Sequence, residues 1–356
     1  MSRRILIVIV IVLIIVIAGW VVFNKMSGPL YHPGDVRAGK DLREPLAPPS
    51  QAGAAPQFWK VASDIDLFHF EQGAGEDVLT VHGGPGFVQN QSWKANAALA
   101  DRYRFIYYHQ RGCGRSSRPI TKLARGNFYQ SMQALNGALG LAAHVADIER
   151  IRRILGRDKL VLAGHSFGAF IAALYAAEFP EHVKALVFIS PANMAVLPNL
   201  KADLFARMRR RLPPEQLPDY DRYLAQYFDF PSQMRMSEEQ LAAMYRRFGV
   251  FYAAASHAAP PIEDMEALSM NGGFMPLAIY LSLGRHHDYT AALRAVTAPV
   301  LVIHGGADLQ PRDWSLAFAS LFPNHRFVEI EGAGHFSFDD HPVEFAAVVR
   351  DFLSKF

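Results

Sequence analysis

Hydrophobic and polar positions divide the chain into three textures. The first is Ile5–Phe23, 19 residues without a charge and nearly all Ile, Val and Leu. At about 1.5 Å per residue a helix of that length covers roughly 28 Å, close to the ~30 Å hydrocarbon core of a bilayer. Arg3 and Arg4 precede it, and Trp20 stands near one end. The run exceeds the apolar region of a cleaved signal peptide and offers no small-x-small cleavage site, so it predicts an uncleaved membrane anchor over residues 1–26. Arg3, Arg4 and Lys25, the charges nearest the span, favour a cytoplasmic N-terminus and an extracytoplasmic catalytic domain. The second texture, residues 27–56, contains Pro29, Pro33, Pro45, Pro48, Pro49 and Pro56 without a sustained apolar period and predicts a linker.

The third texture begins at Phe58. Phe58–Ala62 and Ile65–Phe70 predict a hairpin about Ser63-Asp64. Short, uniformly apolar runs follow at Val78–His82, Phe105–Tyr108, Leu160–Ala163, Ala185–Ile189, Val300–His304 and Arg326–Ile330. Between some of them lie helical periods: Val145, Ile148, Ile151 and Leu155 on one face, then the small residues Ala169, Ala172, Ala173 and Ala176. Phe345, Val348, Val349 and Phe352 mark a last helix opened by Asp340 and Pro342. Apolar strands alternating with helices predict a mostly parallel sheet covered on both faces. The rhythm breaks between Ile189 and Val300, where helical patterns prevail, including a capping box at Ser237-x-x-Gln240. This interval predicts a helical cap, residues 192–292, over a core of residues 57–191 and 293–356, placed at the strand ends where ligands of open α/β sheets bind.

Composition narrows the function. Apolar residues make up 51% of the 356, charged residues 19%, and the net charge is +3. These values exclude wholesale disorder and imply no basic surface for nucleic acid. The single cysteine, Cys113, excludes an intramolecular disulfide and a cysteine-built zinc site. His286-His287-Asp288 lacks the further ligands that a metal site needs, and no cofactor is expected.

Gly164-His165-Ser166-Phe167-Gly168 fits G-x-S-x-G and falls between a predicted strand and a predicted helix, the context in which a serine nucleophile projects from a sharp turn. A serine hydroxyl needs a base, and the base an orienting acid, which follow such a nucleophile in the order acid then histidine. Asp308 follows the strand Val300–His304, and His335 follows Arg326–Ile330, both at carboxyl ends. Asp313, Asp339 and Asp340 compete as acids but are expected in or before helices. Acyl transfer also needs N–H donors for an oxyanion. Phe167, after the nucleophile, supplies one, and Gly84 of His82-Gly-Gly-Pro-Gly86 is the choice for the second.

These segments, with Gln110-Arg-Gly-Cys-Gly-Arg-Ser116, resemble the α/β-hydrolase fold and, more narrowly, the proline iminopeptidase branch of the serine peptidases. The resemblance covers residues 58–356. It implies a serine aminopeptidase that cleaves N-terminal residues from small peptides through an acyl-enzyme, with no cofactor. Two departures stand out. His109 occupies the position before Gln110-Arg-Gly where that branch usually has an aspartate. The cap also lacks the tryptophan–glutamate element by which those peptidases hold the substrate amine. Glu238, Glu239, Glu263, Asp264 and Glu266 are the cap carboxylates that could replace it. An esterase or amidase on small apolar acyl substrates is the alternative, and a catalytically silent binding module the second. Arg111 is expected to brace the oxyanion loop, and Cys113 to be a small buried residue.

Overall fold

The computed structural model describes residues 28–40, 42–124, 126–199, 203–256 and 270–356. The expectation of a membrane anchor is corrected at this point, and with it that of an extracytoplasmic catalytic domain. Among the described residues no helix is long and apolar enough to cross a membrane. The span expected over residues 5–23 lies outside the described residues.

Among the described residues ten strands follow in chain order: β1 Phe58–Ala62, β2 Ile65–Gln72, β3 Glu76–Val81, β4 Tyr103–Tyr108, β5 Leu160–His165, β6 Val183–Ile189, β7 Val196–Leu197, β8 His287–Asp288, β9 Val300–Gly305 and β10 His325–Ile330. Eight of them form one sheet in the order β1-β2-β4-β3-β5-β6-β9-β10. The hairpin β1–β2 and the pair β2–β4 are antiparallel, and every later pairing is parallel. All six residues of β5 are buried. Leu160 and Leu162 enter one apolar cluster, whereas Val161 and Ala163 enter the cluster on the other face. The strand therefore reads as continuously apolar because alternate side chains fill two cores. Burial of each such leucine or valine contributes about 1.5–3 kcal/mol.

Before β6 come α1 Phe128–Leu139, α2 Leu141–Ile154 and α3 Phe167–Glu178, of which α2 and α3 pack on the sheet. The interval between β6 and β9 adds α4 Leu204–Arg211, α5 Leu217–Tyr227, α6 Phe230–Gln233, α7 Glu238–Ala255, α8 Phe274–Leu283 and α9 Thr290–Arg294. After β9 come α10 Arg312–Ala319, α11 Ser337–Asp340 and α12 Pro342–Leu353. The expected box at Ser237 opens α7: the Ser237 hydroxyl accepts from the Gln240 N–H and the Gln240 side chain returns to the Ser237 N–H. A second box, Asn127 with Gln130, opens α1, which sequence reasoning did not identify. The inserted helices share an apolar cluster with α1, in which Tyr220, Tyr223, Met208, Met244 and Leu277 are buried beside Leu135. Met208 and Met244 thus fill gaps in a small helical unit. The two-residue strands β7 and β8 pair antiparallel and pinch the two ends of the insert together. There the ring nitrogens of His287 face the carbonyls of Leu283 and Met194, and Asp288 accepts from the Thr290 N–H, so this triplet closes the base of the insert.

The proline-rich segment is docked rather than loose. Tyr31 and Val36 are 1% and 0% exposed. The carboxylate of Glu178, at the far end of α3, accepts from the Tyr31 hydroxyl at 2.9 Å and from the N–H groups of Gly34, Val36 and Arg37 at 2.8, 3.3 and 3.1 Å. Tyr289 in turn donates to the Tyr31 carbonyl at 2.8 Å.

Arg111 braces the loop after β4. Its guanidinium forks onto Asp147 of α2, with Nε–Oδ2 at 2.6 Å and Nη2–Oδ1 at 2.5 Å, and donates to the Ala138 carbonyl at 3.0 Å. Arg150 reaches the same carboxylate at 3.3 Å, and all three side chains are almost fully buried. Removal of one partner from a buried pair leaves an uncompensated charge in a low dielectric. Asp147→Ala is expected to lower the unfolding free energy by about 3–5 kcal/mol in urea titrations, and a loss under about 1 kcal/mol would show that the pair is dispensable.

Candidate active site

Ser166 occupies the turn between β5 and α3 with φ of 53° and ψ of −119°. Positive φ is uncommon for a residue with a Cβ and costs of order 1–3 kcal/mol, so the surroundings must hold it. They do so through close packing of α3 on the sheet. A Cβ added at Gly168 would lie 2.1 Å from the Val81 carbonyl oxygen and 2.6 Å from that of His82. Only glycine permits that approach, and the approach fixes the turn. The Ser166 N–H donates to Ile189 of β6, and its carbonyl accepts from Ala192, so the elbow is tied to the neighbouring strand end as well. Phe167 begins α3, where the first N–H groups of a helix have no intrahelical acceptor.

Asp308 and His335 lie side by side. His335 Nδ1 lies 2.8 Å from Asp308 Oδ2. The other carboxylate oxygen, Oδ1, accepts from the Gln310 N–H at 2.9 Å and from the Tyr252 hydroxyl at 3.2 Å. Burial pushes the Asp308 carboxyl up, but the charge and hydrogen bond of His335 and the Gln310 N–H outweigh it and hold the group below the usual carboxylate range. The carboxylate is therefore ionised at neutral pH and can fix the ring of His335. A neighbour adds to this control: His165 Nε2 lies 3.0 Å from the His335 carbonyl oxygen. Burial lowers the His165 pKa to about 3, so that ring stays neutral and donates.

The loop His82–Gly86 runs beside the serine. A Cβ at Gly83 would sit 2.9 Å from the Ser166 Cβ and 3.0 Å from the His165 carbonyl, and Gly84 adopts a φ of +121°. Two hydrogen bonds explain why this loop and the Gln110-Arg111-Gly112 loop occur together. The Gln110 N–H donates to His82 Nε2 at 3.1 Å, and the Gln110 side chain donates to the His82 carbonyl at 2.7 Å. His82 Nε2 is thus an acceptor, which leaves the proton on Nδ1, 3.0 Å from the Gly83 carbonyl. Burial keeps this ring neutral, with its pKa lowered to about 4. His109 is neutral too, lowered to about 3 chiefly by burial, and its Nδ1 accepts from the Arg115 N–H at 3.0 Å. Cys113 is buried, and burial pushes its thiol up to about 12, which makes it a poor nucleophile.

Ser166, Phe167, Gly84 and His335 all line one cavity of about 840 Å³, within the range of small-molecule sites. Its far wall is aromatic and comes largely from the insert: Phe205, Phe230, Phe248, Tyr252 and Tyr280. Of the cap carboxylates expected to hold an amine, Glu238 and Glu239 do not line it. Glu238 instead accepts from the Gly273 and Phe274 N–H groups at 2.8 and 2.6 Å and pairs with Arg118. Glu239 bonds the Ser237 hydroxyl at the surface. Glu263, Asp264 and Glu266 lie outside the described residues. The acids that do line the cavity, among the described residues, are Asp203 and Asp339. Asp203 caps α4, whereas Asp339 accepts from the Lys94 N–H at 2.8 Å and is pushed up by burial. Asp340 holds the Gly334 N–H at 2.9 Å, next to His335. Among the competing acids, Asp313 lies in the first turn of α10.

Tyr252 and Gln310 went unnoticed in the sequence as parts of this site, His165 was named only within the G-x-S-x-G motif, and Asp339 was weighed only as a competing acid. Asp339 had a signal, four residues after His335 in the same short segment. Tyr252 had none, because its contact with Asp308 spans 56 positions and depends on how the insert folds back.

The chain belongs to the α/β hydrolase fold family, whose model matches residues 78–342. Within that family it is similar to the proline iminopeptidase of Heyndrickxia coagulans, with 28% identity over 293 residues that cover 80% of this chain and 93% of that protein. The proline iminopeptidase of Lactobacillus delbrueckii subsp. bulgaricus is 24% identical over 295 residues, 78% of this chain and 89% of that one. These relatives make it a proline iminopeptidase-like hydrolase. Solved structures share the fold: a proline iminopeptidase from Mycobacterium smegmatis (TM-score 0.58, 22% identity, 82% of this chain and 96% of that one) and a thermophilic esterase from Thermogutta terrifontis (TM-score 0.54, 24% identity, 83% and 96%).

The contact at Gly83 yields a prediction. An alanine there must push the loop away from Ser166, since its Cβ meets backbone and Cβ atoms rather than the end of a flexible side chain. Gly83→Ala is expected to slow the reaction of Ser166 with a fluorophosphonate about a hundredfold while the melting temperature stays within a few degrees. An unchanged rate would place Gly83 outside the reacting geometry.

Proposed function

We propose that the protein is a serine hydrolase with Ser166 as nucleophile, His335 as base and then acid, and Asp308 as the carboxylate that orients it. His335 takes the Ser166 proton as Oγ attacks the substrate carbonyl, and the N–H groups of Phe167 and Gly84 receive the oxyanion. The protonated His335 then delivers its proton to the leaving nitrogen or oxygen, which leaves an acyl-enzyme for water to hydrolyse with the roles reversed. No cofactor enters these steps. One observation carries the reading: a serine on a positive-φ turn and a histidine fixed by a buried carboxylate face the same cavity.

The substrate class follows from the relatives, and we propose release of the N-terminal residue of small peptides, prolyl peptides first. Residues 192–292 act as a cap that selects the substrate, over a core of residues 57–191 and 293–356. A substrate ammonium inside the cavity needs a carboxylate, since an unpaired buried charge is costly. Asp339 fits that need, because burial disfavours its charged form and an ammonium would restore it. A second reading, an esterase or amidase for apolar acyl groups, is favoured by the aromatic wall of the cavity and by the engagement of Glu238 with Arg118.

A fluorophosphonate probe is expected to label the wild type and not Ser166→Ala, and absence of wild-type labelling would return the silent binding module as the answer. On a substrate panel, free-amine prolyl and alanyl amides are expected to turn over and their N-blocked forms not to. Asp339→Asn should lower free-amine cleavage about tenfold or more, as loss of a charged hydrogen bond implies, while simple esters are spared. Equal cleavage of blocked and free substrates would put the esterase reading in its place.

A further inference from the structure

The carboxylate that orients His335 is not held by the core alone. Tyr252 belongs to α7 of the insert, yet its hydroxyl donates to Asp308 Oδ1 at 3.2 Å and its ring centroid stands 5.5 Å from that of His335. The side chain is buried at its hydroxyl end, and its ring forms part of the cavity wall beside Phe248, with centroids 5.9 Å apart. Burial, then the negative charge of Asp308, keep the phenol far above its ordinary pKa, so it remains a donor at every pH of interest. One side chain therefore touches both the space a substrate fills and the group that sets the histidine.

We propose that Tyr252 is a positioning residue through which the insert sets the Asp308–His335 pair and a substrate in the cavity bears on it. The proposal rests on the serine-hydrolase reading. Physically, the phenol O–H shares Oδ1 with the Gln310 N–H and draws charge from the carboxylate. Without it, Asp308 is less firmly fixed and holds a proton on the His335 ring more strongly. Substrate packed on the Tyr252 ring moves the hydroxyl relative to Asp308, so the reactivity of Ser166 depends on how the cavity is filled.

The other charged and titratable groups facing this pair do not confuse the test. His165, from the elbow, is lowered to about 3 by burial, and His304, at the end of β9, is likewise lowered, so both stay neutral. Arg207 and Arg211 of α4 direct charge at Asp308 and Tyr252 respectively and remain cationic throughout.

The test is the rate at which a fluorophosphonate labels the full chain, measured from pH 5 to 9. This readout needs no knowledge of the natural substrate. Tyr252→Phe keeps the ring and the cavity and removes only the donor. It is expected to react about five- to twentyfold more slowly near neutrality, with the acidic limb moved up by roughly half a pH unit. The downfield Nδ1–H proton resonance of His335 should move with it. Phe248→Leu changes the same wall without touching Asp308, and its acidic limb and proton resonance should match the wild type. A Tyr252→Phe profile that overlays the wild type overturns the inference and leaves the hydrolase reading standing. So does an equal displacement of the limb in Phe248→Leu, which would make the effect one of general packing. A wild type that is never labelled overturns the hydrolase reading itself, and this inference with it.

Discussion

The site depends on one close approach. Helix α3 lies so near β3 that position 168 has no room for a side chain, and this contact holds Ser166 in a backbone conformation that its Cβ disfavours. The rest follows from where that turn points. Its serine faces the ends of the parallel strands, its first helical N–H groups face the same way, and the loops after β3, β9 and β10 need only short excursions to meet it. The small residues along α3, with Ala169, Ala172, Ala173 and Ala176 fully buried, are the condition for that approach. A helix with larger side chains on this face would stand further off, and the turn could relax.

The legible and illegible parts of the chain separate on physical grounds. Each central strand announces itself because both of its faces are apolar, and the elbow and its partners because their chemistry is concentrated in a few neighbouring positions. Asp308 and His335 were readable for the same reason, each directly behind a strand. The insert was readable only as an interruption. Its helices satisfy one another, with Tyr220 against Phe251 and Tyr227 against Tyr245, and nothing local encodes which side chain turns toward the core. Tyr252 stands in a stretch that, read by itself, shows only the lack of an acid. Glu238 misled in the opposite sense. It has the burial expected of an ammonium ligand, but its carboxylate caps the start of α8 and holds Arg118, contacts that lie more than thirty and more than a hundred positions away. Helix α1 escaped notice because its apolar face is completed by residues of the insert rather than by the sheet.

The cavity joins two surfaces with different tolerances. On the core side the groups are fixed by backbone: the loop at Gly83, the elbow, the N–H of Gln310. On the insert side they are aromatic rings that pack mainly on each other. Changes to these rings can therefore reshape the pocket at little cost to the core side, except where hydrogen bonds join the two sides: Tyr252 to Asp308, Arg207 to the Leu309 carbonyl and the Gly272 N–H to the Gly86 carbonyl. That asymmetry is consistent with a fold in which the reaction is kept and the substrate varies.

The segment before β1 bears on how the protein can be handled. Glu178 is a buried acid at the end of the helix that begins next to Ser166, and its oxygens are occupied by Tyr31, Gly34, Val36 and Arg37. A shortened form that starts near residue 50, the boundary that the proline-rich composition invites, would strip all four donors away and leave a carboxylate facing an apolar groove. An expression boundary ahead of residue 28 keeps the strap in place, and with it the anchoring of the helix whose opposite end carries Ser166.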